Sequence, residues 1–244
     1  KEKYPARYVE LGVAEQNLAT VAAGLANYGK IPFITSYATF SPGRNNEQIR
    51  TTIALNQVPV KIAGSHAGLS VGPDGATHQA LEDIALMRVL PNMVVVSPCD
   101  SEEARKATLA AAAHQGPVYL RFARDKSPVM TSAKHKFKIG KGSVVWESAH
   151  APEVAIIATG PLLYQALLAA RSLERAVPVV QHMIELARMR APFDTDDIAR
   201  FSEGVDALGP DGLVGPSGEI RIALPGSRRV IVSKSDGQRV YVSA

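Results

Sequence analysis

Short apolar runs alternate with amphipathic stretches along the first half of the chain. Apolar residues recur every three to four positions from Leu18 to Leu25, which predicts a helix over 13–28 that stops at Gly29. Strands are predicted at 31–35, 58–63, 93–97 and 118–122, and further helices at 47–56 and 77–88. This alternation predicts an α/β fold with a largely parallel sheet.

Two of the helices carry more specific expectations. In the helix at 77–88, three apolar residues are predicted to face inward, namely Leu81, Ile84 and Ala85. A later, alanine-rich helix is predicted to begin after Asp100, because Glu103 stands three residues further on, as in a capping box.

The pattern loosens after residue 125, where Pro, Ser, Lys and Gly dominate. The sequence is therefore divided into a first domain over 1–127, a linker over 128–152 and a second, smaller α/β domain over 153–244. The second domain is predicted to open with a strand at 154–158 and a helix near Pro161, followed by a strand at 177–180. Beyond 201 the domain becomes atypical, and two strand-like runs remain, at 220–224 and 229–233.

Composition and charge exclude several classes of protein. No apolar run approaches the ~18 residues that cross a bilayer, so no membrane partner is expected. Cys99 is the single cysteine, which rules out an internal disulfide and suits a reducing cytoplasm. The net charge of +4 is mild, and its densest cluster is predicted to be a solvated hairpin and not a nucleic-acid surface: Lys134, Lys136, Lys138 and Lys141.

Glu15 is the first candidate for chemistry. It lies in the run Gly-Val-Ala-Glu-Gln-Asn at a predicted strand-to-helix junction, where the helix dipole stabilises a carboxylate. On spacing alone, an acid that merely complements the dipole explains the position equally well.

A second candidate is the turn Gly-Pro-Asp-Gly-Ala-Thr-His, which contains Asp74 and His78. It is predicted to present both side chains at the carboxyl edge of a strand, where α/β proteins bind ligands. His66 lies on the same strand-end loop. An ordinary turn with a capping Asp and a surface His remains the alternative.

Tyr37 and Phe40 form the third candidate, because two aromatic residues three apart in a non-helical stretch could hold a planar ring between them. Core packing is the alternative explanation for this pair.

Together these motifs resemble the pyrimidine-binding domain of transketolases, in particular the separately encoded C-terminal subunits. The resemblance covers residues 4–126 and rests on five segments in register: RYVELGVAEQNLATVAAGLANYGKIPF, SYATF, EQIRTTIA, KIAGSHAGLSVGPDGATHQALEDIALMRVLPNM and SPCD. It implies a thiamine diphosphate enzyme that transfers a two-carbon ketol unit between sugar phosphates, in the pentose phosphate pathway. The family's first strand in this domain would precede Lys1.

The resemblance also assigns roles to individual residues. Glu15 matches the acid that contacts N1′ of the cofactor's aminopyrimidine, and Phe40 and Tyr37 match residues around that ring. The remaining assignments concern the sugar channel: Asp74 and His78 for donor oxygens, with His78 also catalytic, and His66 and Arg124 for the substrate phosphate.

In the family a separate domain with a Gly-Asp-Gly motif holds the diphosphate and its metal, and that motif does not occur in this sequence. The resemblance therefore implies no metal ligand in this chain, and an N-terminal subunit that brings Mg²⁺ or Ca²⁺. Two copies of each chain would form a heterotetramer with shared sites. The stretch EVAIIATGPLLYQALLAARSLE is similar to the start of the family's C-terminal domain, and no similarity is found after 201.

Two alternatives stay open. A 1-deoxyxylulose-5-phosphate synthase would share the matched acid, aromatic pair, Asp74 and His78, although that family tends to have His where Asn17 stands and Arg near His66. A degenerate subunit that only binds a partner is the non-enzymatic alternative. The intact set of motifs argues against it, and the unusual end of the chain keeps it open.

Overall fold

The computed structural model describes residues 2–148, 154–174, 220–223, 229–232 and 240–242. The chain divides into two compact units, the first Lys1–Val145 with Ala155–Ala166, and the second Trp146–Val154 with Leu167–Ala244. None of the helices in the described ranges is long and apolar enough to cross a bilayer.

Four parallel strands form the sheet of the first unit: β1 (Phe33–Tyr37), β2 (Lys61–Ser65), β3 (Val94–Val96) and β4 (Val118–Arg121). Their order across the sheet is β1-β2-β4-β3, and each neighbouring pair is parallel. The predicted α/β fold with a parallel sheet is thus confirmed. Because parallel strands end at the same edge, the segments after Tyr37, Ser65 and Arg121 meet there.

Helices precede, connect and follow these strands. They are α1 (Glu15–Asn27), α2 (Asn46–Gln48, continued by a π-helix at Ile49–Ala54), α3 (Asp83–Arg88), α4 (Ser101–Ala113) and α5 (163–174). The helix predicted at 47–56 is present, but most of it is π-helical. A short 3₁₀ turn at Gly160–Leu162, with Pro161 in its first turn, precedes α5, as predicted for this proline.

Small residues let α1 lie close to the sheet. Apart from Glu15, its buried side chains are alanines, and they pack in one cluster with isoleucines of β1, β2 and the π-helix: Ala19, Ala22, Ala23, Ala26, Ile34, Ile62, Ile49 and Ile53. Val21 and Leu25 are each 38% exposed. The alanines and not the larger residues therefore form the packing face of α1.

The helix predicted at 77–88 is wrong in its first half. Only α3 is α-helical, and its buried residues are Asp83 and Met87, whereas Leu81 is 64% exposed. The reason is a tertiary contact: Ala80 pairs as a parallel bridge with Ala67 and accepts a hydrogen bond from Gly68 N. Extended backbone at Ala80 prevents the helix from starting earlier.

The predicted cap at Asp100 is confirmed. Asp100 Oδ1 accepts a hydrogen bond of 2.8 Å from Glu103 N, and Glu103 Oε2 accepts one of 2.7 Å from Cys99 N. Burial would raise the pKa of Asp100, but donors from Glu103, Thr131 and Met130 outweigh burial and lower it. Asp100 therefore also ties the segment around Thr131 to α4.

In the second unit, β5 (Ile220–Ala223), β6 (Arg229–Val232) and β7 (Val240–Val242) form an antiparallel sheet in that order. The two strand-like runs expected at 220–224 and 229–233 are confirmed, and β7 was not predicted. Residues 154–158 are not a strand, and residues 155–166 belong to the first unit. The predicted strand at 177–180 lies outside the described residues, and the predicted domain limits stay predictions.

Candidate active site

Glu15 is the first residue of α1, and its carboxylate is buried where the helix begins. The preceding turn contains Gly12, whose φ of +64° favours glycine. Arg44 Nη1 lies 3.0 Å from Glu15 Oε2, and Asn45 Nδ2 donates a hydrogen bond of 2.9 Å to the Glu15 carbonyl. Two consecutive residues after β1 thus hold the acid that the motif singled out.

Tyr37, Phe40, His66 and His78 form a cluster of four rings at the carboxyl edge of the sheet. His66 stacks on Tyr37 with centroids 3.9 Å apart and an interplanar angle of 13°. The Phe40 ring is nearly parallel to the Tyr37 ring, with centroids 6.4 Å apart and an interplanar angle of 17°. His78 makes edge contacts with Tyr37 at 6.1 Å and with Phe40 at 5.3 Å. The structure therefore brings together four residues that two separate motifs contributed.

A hydroxyl group lies beside Nδ1 of each histidine. Thr77 Oγ1 is 2.8 Å from His78 Nδ1, and Ser65 Oγ is 3.1 Å from His66 Nδ1. Ser65 Oγ also donates to the Ser36 carbonyl at 3.1 Å. Because a hydroxyl has one proton, Ser65 must accept from Nδ1–H of His66, and no described residue makes a hydrogen bond to Nε2 of that ring.

Arg124 braces the turn that carries Asp74. Its Nη1 donates a hydrogen bond of 2.6 Å to the Val71 carbonyl. Gly72 has a φ of +75°, and a Cβ atom there would collide with the same guanidinium. Asp74 itself is exposed on this turn. Arg124, which follows β4, therefore contacts the loop that carries Asp74, and no hydrogen bond joins these two side chains among the described residues.

Sequence reasoning missed Arg44 and Asn45. The Arg44 guanidinium carbon lies 4.9 Å from the Phe40 ring centroid, so this side chain joins Glu15 to the ring cluster. Asn45 is buried and also donates to Ser41 Oγ at 3.2 Å. Both residues follow Phe40 closely, but a turn has no periodicity from which a contact with α1 could be inferred.

A buried polar network lies behind the cluster. Asp83 is 1% exposed, and its Oδ2 accepts hydrogen bonds from the Tyr119 hydroxyl at 2.7 Å and Arg121 Nε at 2.8 Å. Burial, and then the Asp83 charge, raise the pKa of Tyr119 above its ordinary range. The Arg121 guanidinium lies beneath Gly68, two residues after His66. No motif indicated this network, because its members stand on α3 and β4.

Comparison with known proteins shows the family of the chain. Residues 1–129 match the family described as transketolase, pyrimidine binding domain. The fold and this match together identify residues 1–129 as the pyrimidine-binding domain of a thiamine-dependent enzyme. The chain belongs to the transketolase family.

Three curated relatives show how far the similarity extends. A protein described as a transketolase C-terminal section, from Methanocaldococcus jannaschii, is 36% identical over 89% of this chain and 68% of its own length. A 6-deoxy-6-sulfo-D-fructose transketolase subunit from Clostridium is 40% identical over 70% of this chain and 52% of its own length. A 1-deoxy-D-xylulose-5-phosphate synthase from Leptothrix cholodnii is 41% identical, over 85% and 32%. The chain thus spans about half the length of the second relative and a third of the third.

Among solved structures, one described as a split-gene transketolase, inactive β4 tetramer, matches with a TM-score of 0.61 and 42% identity. The match covers 74% of this chain and 55% of that one.

The residues present fit the pyrimidine half of thiamine diphosphate. Glu15 Oε1 receives no hydrogen bond from another described residue, and the carboxylate is only 8% exposed. A buried carboxyl group that can share a proton with a ring nitrogen, joined through Arg44 to the flat ring of Phe40, suits a planar nitrogen heterocycle. Within the described ranges, no group of three or more His, Cys, Asp and Glu side chains could hold a metal ion.

Proposed function

We propose that this chain is the C-terminal subunit of a thiamine diphosphate-dependent transketolase and supplies the pyrimidine half of its active site. The observation that carries the proposal is the buried Glu15, joined through Arg44 to Phe40 and the ring cluster. The related split-gene structure described as an inactive β4 tetramer supports the need for a different partner.

In this proposal an N-terminal subunit holds the diphosphate with Mg²⁺ or Ca²⁺, which prefer oxygen ligands. Two copies of each chain form the active heterotetramer, and each site lies between two chains. The enzyme works in the cytoplasm, in the carbohydrate metabolism of the pentose phosphate pathway.

Thiamine diphosphate would supply a nucleophilic thiazolium carbon that attacks the carbonyl carbon of a ketose. Glu15 would exchange a proton with N1′ of the aminopyrimidine, through the oxygen atom that Arg44 does not contact. Phe40 and Tyr37 would border the ring, and their parallel planes are suited to a flat ligand.

The sugar would lie along the loops that end β2 and precede α3. His66 and His78 each have Nδ1 beside a hydroxyl, so their Nε2 atoms remain for sugar oxygens. Asp74 is exposed and would accept a hydrogen bond from a donor hydroxyl.

Arg124 and His66 would hold the anionic end of the sugar. Arg124 uses Nη1 for the Val71 carbonyl, and a guanidinium has four further N–H groups. Phosphate and sulfonate are both tetrahedral oxyanions, and one relative is named for a 6-deoxy-6-sulfo sugar. Both classes of sugar therefore belong in the substrate test.

A 1-deoxyxylulose-5-phosphate synthase activity is the second candidate, favoured by relatives of similar identity. The two activities differ in product, so an assay of erythrose 4-phosphate as acceptor separates them. Consumption of this acceptor with release of a ketose phosphate is expected for the transketolase.

The decisive experiment is reconstitution with an N-terminal transketolase subunit, thiamine diphosphate and Mg²⁺. Ketol transfer is expected from the mixture and not from either chain alone, with a 2:2 complex in light scattering. A mixed complex that binds the cofactor but transfers no ketol unit from any phosphorylated or sulfonated ketose would contradict the proposal. A mixed complex that binds no cofactor would identify a degenerate subunit.

A further inference from the structure

Arg44 lies between the two groups that the cofactor ring needs. Its Nη1 is 3.0 Å from Glu15 Oε2, and its guanidinium carbon is 4.9 Å from the Phe40 centroid. A guanidinium is flat, carries N–H donors and stacks on aromatic faces. These are also the features by which an aminopyrimidine would bind a carboxylate and an aromatic ring.

The charge of Glu15 explains why such a group lies here. The carboxylate is 8% exposed, and a buried charge without a partner is costly. Arg44 is the cation that pairs with it among the described residues. When Glu15 shares a proton with a pyrimidine nitrogen, the carboxyl group no longer carries a full negative charge, so this need for a cation ends.

We propose that Arg44 occupies part of the pyrimidine subsite in the unassembled chain and leaves it when the cofactor ring enters. The inference rests on the function proposed above and deepens it. Arg44 acts as a counter-ion that is exchanged for the ligand, so that the site stays formed while no ligand is bound.

The surroundings allow the side chain to move without the backbone. The Arg44 side chain is 50% exposed, so an outward rotation places its charge in water. Asn45 stays behind, since it is buried and donates to both the Glu15 carbonyl and Ser41 Oγ. The turn therefore remains attached to α1 while the guanidinium leaves.

The test uses the full chain without a partner and thiamine, which lacks the diphosphate, as the probe. Chemical-shift titrations compare the wild type with Arg44→Met and with the matched control Arg50→Met, which removes an exposed charge from the neighbouring π-helix. While Arg44 occupies the subsite, only the fraction of molecules in which it has moved away can bind thiamine, and the apparent affinity falls in proportion to that fraction. Arg44→Met is therefore expected to bind thiamine about fivefold more tightly than the control.

A second readout follows Arg44 itself. In the free wild type, the ion pair with Glu15 is expected to slow rotation about the Nε–Cζ bond of Arg44, as seen in NMR spectra of the guanidinium nitrogens. Rotation is expected to become fast in Glu15→Gln and in the wild type saturated with thiamine. Two results would overturn this inference and leave the proposed function intact. One is that thiamine binds while the Arg44 side chain stays restrained, and the other is that Arg44→Met binds thiamine no more tightly than the control. Failure of thiamine to perturb Glu15 or Phe40 in any variant would overturn the proposed pyrimidine site and the inference with it.

Discussion

Asp83 and Arg121 form an ion pair of 2.8 Å behind the loop that carries His66. Asp83 is 1% exposed, and its Oδ2 also accepts the Tyr119 hydroxyl. Gly64, opposite Arg121 in the sheet, leaves room for the Tyr119 ring, because a Cβ atom there would collide with it. The pair links α3 to β4 at the edge of the sheet where the candidate site lies.

Asp83→Ala is therefore expected to destabilise the protein by about 3–5 kcal/mol, since it leaves a largely buried guanidinium and the Tyr119 hydroxyl unpaired. Urea unfolding measures the loss. Asp125→Ala, at an exposed acid, serves as the control and is expected to change stability by less than about 0.5 kcal/mol. Equal effects of the two substitutions would show that the ion pair contributes nothing.

Glu15→Gln is expected to reduce turnover of the reconstituted enzyme at least about a hundredfold, because a positioned proton transfer contributes about 10²–10⁴. The exposed Glu47→Gln on α2 is the control. Exchange of the cofactor's C2 proton, followed by NMR, reports the step directly. An exchange rate equal to that of the wild type would show that Glu15 does not have this role.

Arg124→Ala and His66→Ala are each expected to raise KM for phosphorylated sugars about tenfold or more and to change kcat little, since contacts to the phosphate persist in the transition state. The exposed Lys126→Ala is the control. Steady-state kinetics with matched non-phosphorylated sugars tests the assignment. An equal rise in KM for both kinds of sugar would mean that the residues do not bind phosphate.

Lys61 makes stability depend on alkaline pH. It is fully buried, its Nζ donates to the His114 and Gly116 carbonyls, and burial lowers its pKa from 10.5 to about 8. Between these values the unfolded chain binds the extra proton, so this group's contribution to stability rises with pH.

The free energy of unfolding of the wild type is expected to rise relative to Lys61→Met above about pH 8, by at most about 1.4 kcal/mol per pH unit. The comparison is needed because burial also raises the pKa of Cys99 to about 12, which acts in the opposite direction. Urea unfolding of both proteins near pH 8 and near pH 10 measures the difference. Parallel pH profiles would contradict the lowered pKa.

The isolated chain is expected to bind thiamine diphosphate only weakly and to turn over no substrate. A stacking surface and one carboxyl supply a few kcal/mol, and association costs of about 4–15 kcal/mol offset most of that. Calorimetry of the chain with cofactor and Mg²⁺ is the measurement, and addition of the N-terminal subunit is the positive control. Micromolar binding without a partner would disprove the shared site.

Local sequence determined strands β1 to β6, most helices and the cap at Asp100, but it missed β7 and wrongly indicated a strand at 154–158. Each depends on residues within a few positions, and the apolar runs of β1 to β4 suit strands that are covered on both faces. The helix predicted from Thr77 fails for the opposite reason. Its pattern is helical, but pairing of Ala80 with Ala67 keeps the backbone extended there.

The sequence by itself also determined which residues carry the matched motifs, including Glu15, Phe40 and His78. Only the tertiary structure decided how these residues meet. Arg44 reaches Glu15 across 29 positions because α1 packs against the helix that follows β1, and Tyr119 reaches Asp83 across 36 because α3 packs on β3, the neighbour of β4. Such contacts depend on the strand order β1-β2-β4-β3, and that order results from long-range packing to which no local pattern of residues is sensitive.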